Sequence, residues 1–236
     1  MTIAIHQPDY IPYLGYFYKI SQADKFIFLD DAQFSNDNMH NWNRIKTPSG
    51  EMRLKIPVEY SFGDSITAVR TKDELGWKQK NLKAMLMNYK KAAYFNEIYP
   101  EFERLLCEDY NSLAELNISL IGYICQRFGF RAELLRSSLM GSTAKKEGRV
   151  IELCLKAGGD VYYSGLGAAA YQSEENFKKA GIVLKYTDYK PAVYDQLWCK
   201  RQGFLENMSV IDFVFNCHFD FERVERSVRE QNRRWK

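Results

Sequence analysis

The chain is poor in the residues that most often announce a chemistry. Of its 236 residues only five are cysteine and three are histidine. Cys107, Cys125, Cys154, Cys199 and Cys217 are an odd set with no close spacing, so no zinc or CxxC redox motif can be assembled from them. They read as small buried hydrophobes in a reducing compartment. His40 and His218 stand far from each other and from His6, and no metal is expected. No apolar run reaches the length that crosses a bilayer. Met1 to His6 also lacks the charged start and long apolar core of a secretion signal. The expectation is a cytoplasmic protein with no membrane insertion. There is no internal repeat and no low-complexity segment.

An excess of charge of one sign is missing too. The 33 Lys and Arg against 30 Asp and Glu leave +3, and the last fifteen residues hold all of it. Arg223, Arg226, Arg229, Arg233, Arg234 and Lys236 there outnumber Glu222, Glu225 and Glu230. A neutral body with a basic tail argues against a dedicated nucleic-acid binder, whose footprint would be a broad positive face. The tail reads as a solvated helix, with Glu222–Arg226 and Glu225–Arg229 one turn apart.

What is present is an ordinary globular balance, 46% apolar and 27% charged, on a chain long enough for a sizeable core. Aromatics are high at 15%. Amphipathic packing accounts for most such rings, and a surface that stacks sugars or bases is the sharper reading.

The first 34 residues carry the clearest pattern. The apolar run Thr2–Ile5 stops at His6-Gln7-Pro8-Asp9, and a turn stiffened by Pro8 and Pro12 leads past Gly15 into helix-like Tyr16–Ile20. A second apolar run, Lys25–Leu29, stops at Asp30-Asp31-Ala32-Gln33-Phe34. This reads as strand, polar loop, helix, strand, polar loop. Open α/β sheets place ligands just beyond strand carboxyl ends.

A polar loop, Ser35–Asn43, closes on Asn43-Arg44-Ile45-Lys46 and turns at Thr47–Gly50. Met52–Tyr60 alternates as a strand, with Ile66–Val69 as its short partner. From Gly76 the period becomes helical, over Trp77–Tyr89, Tyr94–Cys107 and Ser112–Phe128, where Ser112 and Glu115 form a capping box. Strand signals return at Arg131–Arg136, Asp160–Gly165 and Ile182–Tyr186, separated by helices over Lys145–Ala157 and Ala168–Ala180. A late helix spans Ser209–Asn216. The alternation predicts parallel strands. The expected fold is one α/β domain over residues 1–236, a Rossmann-like, mostly parallel sheet with a helical insertion at about 73–130.

His6, at a strand end, has the one side chain that titrates near neutrality, so it can trade a proton or donate to phosphate. A histidine bonded to a backbone carbonyl is the competing reading. Asp30, at the end of a neighbouring strand, could orient His6 or hold a ribose hydroxyl, against a plain turn-forming role. Arg44 and Lys46, with Asn43, form a candidate anion clamp. Ser142–Arg149 puts hydroxyls and cations at a helix start. Ser164-Gly165-Leu166-Gly167 is a tight strand-to-helix turn where backbone could approach a ligand. It is not a nucleophile elbow, because Tyr163 stands where that motif needs glycine.

The opening His6-Gln7-Pro8-x-Tyr10-x-Pro12-x-x-Gly15-Tyr16-Phe17, with Asp30-x-x-Gln33-Phe34, Asn43–Lys46, Pro57-Val58 and Tyr162-x-Ser164-Gly165, resembles the WbqC-like protein family. Members tend to be encoded among genes for O-antigen and other surface-polysaccharide synthesis. The resemblance implies a role in making or modifying a sugar building block, and the expectation built on it is an enzyme acting on a nucleotide-linked or amino sugar, with an acyl, aminoacyl or nucleotidyl group transferred. On this reading His6, as general base or phosphate donor, and Asp30, as its orienter, are the catalytic residues. Gln7, Tyr10, Gln33, Asn43, Arg44, Lys46, Ser164 and Gly165 would be the ligand-binding residues. A non-catalytic sugar-nucleotide-binding or scaffold protein is the alternative. A weaker similarity, to pantothenate synthetase and other nucleotidyltransferases with HxGH loops, aligns His6 alone and leaves the second His unmatched. It would make ATP or another nucleotide the cofactor. Neither the sugar nor the oligomeric state is legible.

Overall fold

A computed structural model describes residues 1–233, so Arg234 and Lys236 of the basic tail lie outside the described residues. The chain starts as β1 (Thr2–His6), α1 (Leu14–Ser21) and β2 (Lys25–Phe28). A hairpin of β3 (Trp42–Thr47) and β4 (Gly50–Lys55) follows, then the short pair β5 (Val58–Glu59) and β6 (Arg70–Thr71). Three helices come next: α2 (Trp77–Tyr89), α3 (Phe95–Cys107) and α4 (Leu113–Arg127). The last part runs β7 (Glu133–Arg136), α5 (Lys146–Lys156), β8 (Val161–Ser164), α6 (Glu174–Lys179) and β9 (Val183–Tyr186). It closes with α7 (Cys199–Gln202), α8 (Val210–Cys217) and α9 (Phe221–Arg233).

The central sheet has five strands in the order β7-β2-β1-β8-β9, every pair parallel. The fold is therefore mixed α/β with a Rossmann-like sheet. Parallel strands are covered on both faces, which is why β1 is apolar throughout its interior. Its side chains alternate between two cores. Ile3 and Ile5 join Leu153 of α5 and Phe177 of α6 on one face. Ala4 belongs to the larger core on the other, with α1, α4, α8 and α9. Gly159 just ahead of β8 is required by packing, since a Cβ there would overlap the Ile3 side chain.

The three consecutive helices α2–α4 occupy the span between β6 and β7, and their apolar faces share the larger core through Met85, Phe102 and Leu120. Ser112 caps α4 by accepting from Glu115 N at 3.2 Å, and the Glu115 carboxylate accepts from Asn111 N at 2.9 Å. Other local expectations change. Asn43–Lys46 is not a loop but the middle of β3, paired antiparallel with Glu51–Leu54, and Asn43, Ile45 and Lys46 are all buried. The expected strand Met52–Tyr60 breaks around Pro57, and its second part pairs with Arg70–Thr71, not with Ile66–Val69. The expected helix Ala168–Ala180 divides into a 3-10 turn, Leu166–Tyr171, and α6.

Candidate active site

Numbered by chain order among themselves, the sheet strands run 3-2-1-4-5, so β1 and β8 lead to crossovers that diverge. Diverging connections leave a crevice at the carboxyl ends of these two strands. A cavity of about 450 Å³ occupies it. Its walls include His6 at the end of β1, Tyr13, Tyr16 and Lys19 at and within α1, Ser164 and Gly165 at the end of β8, and Thr187 and Tyr189 beyond β9.

His6 continues β1, its carbonyl accepting from Leu29 N at 2.8 Å. Its Nδ1 lies 3.0 Å from Gln7 O. A carbonyl only accepts, so Nδ1 carries the proton and Nε2 keeps its lone pair. The Tyr16 ring braces the imidazole edge-on at 4.8 Å, and the Tyr16 hydroxyl donates to the same Gln7 O at 2.9 Å. Although 43% of the His6 side chain is open to the cleft, the surrounding walls desolvate it. That desolvation, helped by the Lys19 ammonium, lowers its pKa from 6.5 to about 3. The ring is neutral at pH 7, and so low a pKa makes it a weak proton acceptor.

Lys19 is the positive charge of the cavity. It is 7% exposed, and its Nζ donates to Ile5 O at 2.7 Å. No carboxylate pairs with it among the described residues. Burial brings its pKa down from 10.5 to about 8. Asp9 stands behind His6, its carboxylate 3.9 Å from His6 Nδ1 and 4.0 Å from His40 Nε2. Burial raises its pKa from 3.8 to about 7.

The loop between β1 and α1 is held almost atom by atom. Asn117 Nδ2 donates to Pro8 O and His40 O at 3.0 and 2.7 Å, and Asn43 Nδ2 donates to Tyr10 O and Ile11 O at 3.0 and 2.9 Å. Ser209 Oγ adds a bond to Ile11 O at 2.7 Å. These bonds hold Ile11, a β-branched residue, at φ 38°. Such a backbone survives only where its surroundings over-determine it, as they do at ligand sites.

The residues expected to form the site are only partly together. His6, Ser164 and Gly165 line the cavity, and Gln7 adjoins it, its Oε1 taking a bond from His40 Nε2 at 2.9 Å. Gly165 has φ −77°, and a Cβ there would meet nothing within 4 Å. Neither backbone nor packing needs glycine at that position; an open cavity wall is what it provides.

Asp30 does not orient His6. Its carboxylate is taken by Ser138 N at 3.0 Å, Ser138 Oγ at 2.7 Å and Ser137 Oγ at 3.2 Å, which tie the end of β2 to the end of β7. Lys46 does not form a clamp with Arg44. It is fully buried, donating to Gln196 Oε1 at 3.0 Å and Gly203 O at 2.6 Å. Asn43 and Tyr10 are buried behind the loop, where Tyr10 OH accepts from Asn81 at 3.1 Å. Gln33 is exposed on a bridge to Ser65. In Ser142–Arg149, Ser142 bonds Glu152 at 2.8 Å and Arg149 pairs with Asp31, which engages these two side chains within the fold. No cluster of metal-binding side chains occurs among the described residues, and no helix among them is long and apolar enough to cross a membrane.

Residues 7–223 match the sequence model of the WbqC-like protein family. The chain belongs to that family. An uncharacterized protein of Mycobacterium tuberculosis is 33% identical over 218 residues, covering 91% of this chain and 93% of that protein. No solved structure matches.

Lys19, Tyr13 and Tyr189 are among the residues of this family member's cavity that escaped sequence reasoning. For Lys19 a signal existed. It is the one charge in Leu14–Ile20, a stretch buried at every position. A lone cation in a helix with no polar face is expensive to bury unless it serves something. Tyr13 gave no such signal, since its role comes from Tyr189, whose ring meets it at 6.2 Å from far along the chain.

Proposed function

We propose that the cavity between β1 and β8 binds a nucleotide-linked or amino sugar and that the protein transfers an acyl, aminoacyl or nucleotidyl group to or from it. This would place it in surface-polysaccharide precursor synthesis. One observation carries the reading. A buried ammonium without a carboxylate and a neutral histidine line one cavity at the topological switch point of a Rossmann-like sheet. Lys19 would neutralise a phosphate of the ligand. With a ligand phosphate offsetting the Lys19 charge that depresses its basicity, His6 Nε2 would take the proton from the attacking hydroxyl or amine as the new bond forms and the transferred group's bond to its donor breaks, the donor leaving with that bond's electron pair. Tyr13 and Tyr189 offer faces for a sugar ring, and Gly165 lets backbone come close.

Among the described residues the cavity lining includes neither cysteine nor carboxylate, and the Ser164 hydroxyl donates to Gln172 Oε1 at 2.8 Å. An enzyme of this design transfers its group directly, without a covalent intermediate on a serine or cysteine. The same feature supports the second reading, a sugar-nucleotide-binding or scaffold protein without turnover.

A thermal-shift panel of sugar nucleotides and ATP, followed by mass spectrometry of the mixtures, separates these readings. A bound ligand raises Tm by mass action. Stabilisation with a new product that is lost in His6→Gln supports the enzyme. Stabilisation with no product in any mixture supports the scaffold. An absence of any shift across the panel refutes both.

A further inference from the structure

A second cavity, of about 380 Å³, adjoins the first and shares two of its walls, Tyr13 and Tyr189. Met39, Arg44, Pro191 and Asn207 complete its lining. Arg44 is the cation there, and its hydrogen bonding is incomplete. Nη1 donates to Glu51 Oε2 at 2.8 Å. Nε is buried with no partner, and Nη2 makes no hydrogen bond among the described residues. The Nε–Nη2 edge of a guanidinium holds two parallel donors, the spacing that a carboxylate accepts bidentately. A buried donor left unmet is costly, and a ligand that meets it recovers that cost.

The hairpin beside this cavity is also short of negative charge. Arg53 lies directly across from Arg44 in the β3–β4 register, an arrangement that like charges disfavour. Arg53 stacks on Trp42 at 4.2 Å and joins no ion pair among the described residues, so Glu51 alone answers two guanidiniums. Among the described residues the cavity lining itself contains no acidic side chain.

We propose that Arg44 heads a carboxylate subsite on the far side of the Tyr13–Tyr189 pair from Lys19. The ligand then has two anionic ends. Its phosphate end lies with Lys19 and His6, its sugar ring lies against the two tyrosines, and a carboxylate on the sugar or on the transferred group meets Arg44. This rests on the sugar-nucleotide reading and narrows it to acidic sugars or to groups bearing a free carboxylate.

The probes are UDP-glucose and UDP-glucuronic acid, which differ in having a carboxylate at one carbon, titrated calorimetrically against the full chain. The wild type is expected to prefer the acid by about 10- to 100-fold, the effect of one charge-assisted bidentate contact. Arg44→Gln should abolish that preference. Arg44→Lys keeps the charge without the fork and should lose most of it, and UDP-glucose binding by both variants verifies that they are folded. Equal wild-type affinity for the two probes overturns the subsite alone, as does a preference that survives in folded Arg44→Gln. If neither probe binds at all, the underlying reading falls, and the subsite with it.

Discussion

Lys19→Met is expected to make the protein more stable and less able to bind. The native cavity disfavours the ammonium, as its pKa of about 8 against 10.5 records, a difference worth about 3 kcal/mol. The sign follows from proton linkage. The unfolded chain holds this proton up to higher pH than the folded one, so native stability rises between pH 8 and 10.5 and carries the full penalty below pH 8. Methionine has a similar shape and no charge to desolvate. It gives up the bond to Ile5 O, worth about 1 kcal/mol, and water in the cavity can replace that donor. The net is a gain of about 2 kcal/mol at pH 7, or about 4–8 °C in Tm for a chain of this size. Affinity for an anionic ligand should fall by about 10- to 100-fold, since a bond to a charged group is lost. Urea denaturation at pH 7 and at pH 10 measures the first effect, and the gain should shrink at the higher pH. Calorimetry with the ligand found by the panel measures the second. A variant that is less stable at pH 7 yet binds normally would mean that Lys19 is a structural residue, and the anion site would be lost with it.

Gly15→Ala tests the aromatic wall. A Cβ there would overlap Tyr13 Cε2 and come within 2.8 Å of Tyr189 Cδ1. The overpacking cost of about 1–3 kcal/mol is partly offset by about 1 kcal/mol of helix propensity. Folding should therefore survive while ligand affinity drops, and Tyr13→Ala in the same chain should relieve the stability loss; additive effects in that double mutant would contradict the packing. Lys46→Met should cost about 2–4 kcal/mol in urea denaturation, because Gln196 Oε1 and Gly203 O lose a buried donor. Its affinity per folded molecule should be unchanged, and a selective loss of binding would return Lys46 to the site. Asp9 has a native pKa of about 7 against 3.8, so the folded chain holds this proton longer and stability falls as pH rises from about 4 to 7. Asp9→Asn should remove that slope, with an advantage over wild type that grows to roughly 4 kcal/mol at pH 8; parallel pH profiles would show that Asp9 is not desolvated.

Much of the scaffold was legible from local pattern alone. Apolar runs ending in polar loops placed β1, β2, β8 and β9 within a residue or two, and the Ser112 cap appears where the sequence has it. These are properties of neighbouring residues: side-chain periodicity, turn chemistry and capping, each decided within a few positions. The same locality explains why His6 and the Ser164-Gly165 turn could be singled out, since both are strand ends.

Side-chain partners were decided only by the tertiary structure. Asp30 and His6 do close neighbouring strands, yet Asp30 is claimed by Ser137 and Ser138, more than a hundred residues away. Lys46 finds Gln196 across 150 residues, and Lys19 became a cavity residue because α1 is buried on every side. Charge on a side chain states what it can bind, but burial and the nearest donor or acceptor choose what it does bind. The opening loop is the clearest case. Its composition marked it as special, while the cage of Asn43, Asn117 and Ser209 that holds Ile11 in a strained backbone comes from three distant parts of the chain.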